Sequence, residues 1–156
     1  MIKKKTNYNL ALTLIETLVV ISIIGILVSI SVFSFRTYNP TLKLNGSIRN
    51  LTSDLRYAQQ LAVAEQIEHS VYFIAAEKKY QIKKYGPTIS IVKEVILPEE
   101  IIEITVSGLT IADSNKEAKY NPYGAVADSG IITLKNSKNN TKSVDIRPSG
   151  FVKISD

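Results

Sequence analysis

Three hydrophobic patterns follow one another along the chain. From Thr17 to Phe35 there is no polar face at all: 19 residues carry no charge and are filled by Leu, Ile, Val, Phe, Ser and a single Gly25. A helix needs ~20 apolar residues to cross a bilayer core, so this run predicts a membrane-spanning helix. Leu44, Ile48, Leu51, Leu55, Ala58 and Ala62 then recur at spacings of four and three, while Arg49, Asp54, Arg56 and Gln59 fall off that stripe. That is the period of an amphipathic helix, which should end near Gln66. Pro40 separates the two patterns and predicts a kink or local break, because proline lacks the amide donor and crowds the preceding turn. Asn45-Gly46 is a weaker point of the same kind.

From His69 onward the period drops to two. Residues 69–75, 79–85, 88–97, 130–135, 142–147 and 150–155 form short β-branched runs separated by turn residues. Ala76 to Lys79, Asn136 to Asn140, and Pro148-Ser149-Gly150 read as turns. Val144 with Ile146, and Val152 with Ile154, should face the core that the helix stripe covers. The fold class expected is α+β: a long N-terminal helix, hydrophobic in its first half, packed on a C-terminal antiparallel sheet.

Charge changes this picture little. The net formal charge of +5 comes from 19 basic against 14 acidic residues, and Lys3, Lys4 and Lys5 stand in the leader. Without them 16 basic residues face 14 acidic ones, too even a balance to argue for nucleic-acid binding along the whole chain. The three lysines before the apolar run and Arg36 after it favour a cytoplasmic N-terminus and an outward-facing remainder. The absence of cysteine excludes a disulfide framework, thiolate metal sites, a catalytic thiol and a lipid-attachment site.

Glu16 is the anomaly, a carboxylate at the entrance of the apolar run. A plain signal anchor leaves it unexplained, since a charge at the centre of a span costs ~2.5–3.5 kcal/mol, although less near an interface. A secretory signal peptide cut near Ser29 or Ser31 would carry an unusual acid at the head of its apolar region. A cut before Leu12 would instead place a new α-amino group one turn from Glu16. Side-by-side helices could then neutralise each other's amines, which would set their axial register.

The residues Ala11-Leu12-Thr13-Leu14-Ile15-Glu16-Thr17-Leu18-Val19-Val20 and their continuation to Leu27 resemble the type IV prepilin signature. That resemblance implies cleavage after Ala11 by a prepilin peptidase, N-methylation of Leu12, and an assembly role for Thr13 and Glu16. Ala11, Leu12 and Thr17 depart from the usual Gly, Phe and apolar residue, and the first departure bears on processing. The implied organisation is a cleaved leader (residues 1–11), a transmembrane and filament-core helix (12–35), an amphipathic helix (36–66) and a β-sheet domain (67–156). Leu55-Arg56-Tyr57-Ala58 with Ala62, the turn Tyr120-Asn121-Pro122-Tyr123-Gly124, and Gly150-Phe151-Val152 are similar to the GspH/FimT group of minor pilins and pseudopilins. The implied partners are the peptidase, other pilin subunits, and the inner membrane before assembly.

Little else in the chain suggests chemistry. His69 is the sole histidine, and there is no nucleophile elbow, phosphate loop or His-based metal spacing, so neither catalysis nor a cofactor is expected. Asp113, Asn115 and Glu117 offer alternate oxygen ligands, but Ala118 and Gly124 stand where a calcium loop needs Gly and Glu, which leaves a solvated turn. Lys78, Lys79, Lys83 and Lys84, interleaved with Tyr80 and Tyr85, could contact phosphates and bases, and Lys135, Lys138 and Lys142 form a second cluster. Nucleic acid is thus the alternative partner. DNA-binding relatives carry a Gly-Arg-x-Arg pattern where this chain has Gly150-Phe151-Val152-Lys153. A second alternative is a membrane-anchored outer domain that never enters a filament.

Overall fold

A computed structural model describes residues 13–112 and 115–155. The chain divides into two compact units, with the boundary between Tyr38 and Asn39. One helix, α1 (Leu14–Glu65), supplies all the regular structure of the first unit and the opening element of the second. Pro40 lies inside it, so the break expected there is absent. Proline removes one ladder bond. Just beyond it, Leu44, Ser47 and Ile48 are buried, and their packing holds the helical backbone that propensity alone would release. The same burial carries the helix through Asn45-Gly46.

In the second unit the helix buries the face that its period predicts. Leu44, Ile48, Leu51, Leu55, Ala58 and Ala62 are all within 2% of complete burial. The strands are β1 (His69–Ile74), β2 (Lys79–Tyr85), β3 (Ile89–Ile96), β4 (Ile101–Ser107), β5 (Thr110–Ala112), β6 (Asn115–Tyr120), β7 (Gly130–Asn136), β8 (Thr141–Ile146) and β9 (Val152–Ser155). They form two antiparallel sheets rather than the single sheet expected: β3-β2-β1-β6-β5 and β4-β7-β8-β9. The chain changes sheet at Leu97–Glu100. The Leu97 amide still donates to the Lys78 carbonyl at 2.9 Å, and the Ile101 amide closes a turn on Pro98 at 2.9 Å. Both sheets contribute to one core with the helix, through Val71, Phe73 and Ile82 from the first and Ile132, Val144, Ile146 and Val152 from the second. Ile154 departs from the expectation. It lies 36% exposed, because β9 is the edge of its sheet.

The first sheet is pinned to the helix by a buried polar group. Asp54 accepts hydrogen bonds from the Tyr80 hydroxyl at 2.8 Å and from the Lys93 ammonium at 2.7 and 2.9 Å. Burial, reinforced by the Asp54 carboxylate, pushes the Tyr80 phenol well above its ordinary 10.0, and burial does the same to Tyr120. Each folded-state pKa is raised, so the stability contributed is complete below pH 10 and is lost as pH climbs past it. In an alkaline titration read by absorbance of the eight tyrosines, at least Tyr80 and Tyr120 should ionise only as the circular dichroism of the fold collapses. Early ionisation of all eight with the fold intact would contradict this.

β3 borders the first sheet and is its exposed side: Ile89, Ile91 and Ile96 are 59%, 56% and 72% exposed. Lys93 reaches Asp54 on the helix face, whereas Glu94 accepts from Gln81 and pairs with Lys79 on the opposite face.

Candidate functional site

Ala11, Leu12 and the lysines of the leader lie outside the described residues. Thr13 and Glu16 lie within them. Thr13 precedes the first residue of α1, and its Oγ1 accepts the Glu16 amide at 3.2 Å. This is an N-cap contact, and Thr-Leu-Ile-Glu has the spacing of a capping box. Glu16 itself is exposed in the first turn of the helix, where the dipole favours a carboxylate.

Beyond Glu16 the surface is apolar. Leu14–Ser31 is the one described helical stretch long and apolar enough to cross a membrane, with mean hydropathy 2.4 and none of it buried. Its hydroxyls turn inward on the helix backbone. Ser22, Ser29 and Ser31 each donate to the carbonyl four residues earlier at 2.8 Å, and Thr17 does so at 3.3 Å. In an apolar medium such bonds remove the cost of unpaired hydroxyls, so the outer surface of the stretch behaves as hydrocarbon despite its serines.

The four lysines singled out as candidate phosphate contacts do not form one patch. Lys79 and Lys83 share one face of β2, and Lys84 points to the other. Lys79 bonds Glu77 at 2.7 Å and lies 3.6 Å from Glu94, and the Glu77 hydrogen bond raises its pKa. Lys84 bonds Glu65 at 2.7 Å and holds that carboxyl below its ordinary range. Lys83 sits 3.2 Å from the centroid of the Tyr72 ring, and Lys119 lies over Tyr85. Lys78 occupies the left-handed turn after Ala75–Glu77. In the second basic cluster, Lys135 lies 3.7 Å from Glu103.

The solvated turn expected around Asp113, Asn115 and Glu117 is corrected. Asn115 and Glu117 belong to strand β6, Glu117 is buried and accepts the Tyr85 hydroxyl at 2.6 Å, and Asp113 lies outside the described residues. The strand forms because Tyr72 and Thr110 flank Glu117 from β1 and β5, a pairing that loop-like local composition conceals. Among the described residues no group of three or more His, Asp or Glu side chains could hold a metal.

Two features escape a reading by local pattern. One is the Asp54–Tyr80–Lys93 network, which joins three elements. The other is a groove of about 460 Å³ between α1 and β9, with Arg49, Arg56 and Lys153 on its walls. Arg49 and Arg56 stand seven residues apart, two helical turns, which is the one sequence signal that could have grouped them.

No family model and no curated sequence matches the chain. Solved structures do. The type IV minor pilin FimU of Pseudomonas aeruginosa (strain PAO1) aligns with a TM-score of 0.62 at 11% identity, over 76% of this chain and 92% of that one. The minor pseudopilin EpsH from the type 2 secretion system of Vibrio cholerae aligns with a TM-score of 0.61 at 9% identity, over 72% and 96%. At such identities the likeness is one of fold: a long N-terminal helix carrying an antiparallel β domain, as in type IV pilins.

Proposed function

We propose that this chain is a minor subunit of a type IV pilus or of a type II secretion pseudopilus, working by assembly rather than turnover. It is inserted with its N-terminus in the cytoplasm, cut after Ala11, methylated on Leu12, held in the inner membrane by its apolar helix, and then drawn into a filament. The observation that carries this reading is a capped, fully exposed apolar helix start with Glu16 in its first turn, on a chain whose β domain has the minor-pilin fold. Glu16 neutralises the N-terminus of a neighbouring subunit, and the β domain makes the outer contacts. The nucleic-acid alternative draws less support, because Lys79 and Lys84 are committed to glutamates. Intact-mass and N-terminal analysis of chain from membranes with an active prepilin peptidase should find N-methylated Leu12 at the start. A start at Val32 would indicate a secreted domain. An intact Met1 that persists when Ala11→Gly is introduced would indicate a membrane anchor and sink the reading.

A further inference from the structure

We propose that the groove between α1 and the free edge of β9 docks an acidic, extended segment of a different protein, which enters it as an added strand. The inference goes beyond the assembly reading and stands on the groove alone. Arg49 and Arg56 line its helix wall, and Phe151, Lys153 and Ile154 line the other. β9 ends its sheet and pairs with β8 alone. The Arg147 amide donates to the Phe151 carbonyl at 3.0 Å, and bonded pairs alternate in an antiparallel ladder. Phe151, Lys153 and Ser155 therefore turn their backbone groups toward β8, whereas Val152 and Ile154 turn theirs to the open side. There the Val152 carbonyl accepts the Arg56 guanidinium at 3.4 Å, a long contact that an incoming strand can replace. Among the described residues nothing meets the Ile154 amide or carbonyl on that side. An extended peptide added to such an edge gains affinity from main-chain bonds and specificity from its alternate side chains.

Charge gives the segment its chemistry. Among the described residues Lys79, Lys84, Lys93, Lys119 and Lys135 all have a carboxylate partner, whereas Arg49, Arg56 and Lys153 have none. Val152 belongs to the core shared with the helix, and Ile154 lies on the same strand face. Residues added opposite these two point toward the helix and its arginines, and the residue between them points to the Lys153 face. Neighbouring acids thus answer all three cations, while exposed Phe151 and Ile154 offer apolar contact to aliphatic residues beside them.

The chain's own strands hold no such segment. Their acids stand singly and are already engaged: Glu94 with Lys79, Glu103 with Lys135, Glu117 with Tyr85, and Asp145 with Arg147. The occupant is therefore another protein rather than a second copy. Asp145 stands directly across from Lys153 on β8 and ends the positive surface there, so a phosphate backbone, which needs a longer track of cations, is the poorer match.

The test titrates the full chain, in non-ionic detergent micelles, into a fluorescent capped peptide of consecutive glutamates flanked by valines. Anisotropy should show saturable binding, and hydrogen exchange read by NMR should slow at the Ile154 amide. Arg49→Glu/Arg56→Glu should weaken binding at least tenfold yet bind the peptide with lysines in place of the glutamates, which guards against a folding defect. A glutamate peptide N-methylated on the amides that would face β9 keeps every charge and should also lose at least tenfold. Equal binding of the methylated peptide would reduce the contact to charge attraction and overturn the proposal. So would the absence of saturable binding, an unchanged Ile154 amide, or tighter binding of a single-stranded oligonucleotide of equal charge that is lost in the same double variant.

Discussion

Glu16→Leu should reduce incorporation into filaments by about tenfold or more while leaving the outer domain folded. The substitution removes the only charge in the first turn of α1, and with it the proposed partner of a neighbouring N-terminal amine. Breaking a charge pair in an apolar bundle is costly because the remaining charge stays desolvated, by ~3–5 kcal/mol in buried cases. A loss of only ~1.4 kcal/mol would already be tenfold. Helix capping offers a competing explanation, since Glu16 also holds the third helical position after Thr13. Glu16→Gln separates the two. Glutamine keeps capping-box chemistry but has no charge, so it should fail like leucine if the carboxylate acts in assembly. Comparing the variant in sheared filaments with that in membranes gives the answer, and normal entry of both variants would refute the proposed role.

Gly150→Ala should destabilise the β domain by about 2–4 kcal/mol and lower its melting temperature by roughly 10 °C or more. Gly150 has φ +79, a left-handed conformation that costs an L residue ~1–2 kcal/mol. Space is the second penalty: a Cβ there would overlap the Gly124 carbonyl and the Gln59 amide. Those two groups are already joined by a 2.7 Å hydrogen bond, so neither can withdraw freely. Gly150 also closes the turn into β9, its amide donating to Arg147 at 2.8 Å, and the damage should therefore reach the basic groove. Gly86→Ala is the control, because its nearest neighbour would be 3.7 Å away and its φ is not positive. Thermal melts of both variants in detergent by circular dichroism check the contrast. Equal melts would show that the Gly150 turn is not a constraint.

How much of this was legible in the sequence depended on how local each cause is. The stripe from Leu44 to Ala62 could be seen because a helix turns neighbours three and four apart onto one face, and all six residues are buried. Strands β1, β2 and β3 were equally plain. β4 does not show as a strand in the sequence: its register shifts between Ile101 and Glu103, so the alternation that marks a half-buried strand is broken within its first three residues. β5 and β6 were hidden by polar composition, and the division into two sheets depends on pairings no short window contains. Pro40 misled because packing beyond it, at Leu44 and Ile48, outweighs one lost hydrogen bond. Glu16 stood out because its anomaly is a contrast with immediate neighbours. The groove did not, since Arg56 and Lys153 are brought together only by the fold.

β3, with its row of exposed isoleucines, is the kind of border that recruits copies of itself into aggregates. Its charged centre works against that outcome. A twofold antiparallel pairing must place side chains from the same sheet face opposite each other, and Lys93 and Glu94 point to opposite faces. Lys93 therefore cannot meet Glu94 of a second β3. The registers centred on this pair set Lys93 against Lys93 or Glu94 against Glu94, and a parallel in-register stack repeats the same conflict in every layer. Like charges directly opposed destabilise a sheet. Two residues that fasten β3 to its own domain thus also set like charges against the pairing of its edge with a copy of itself.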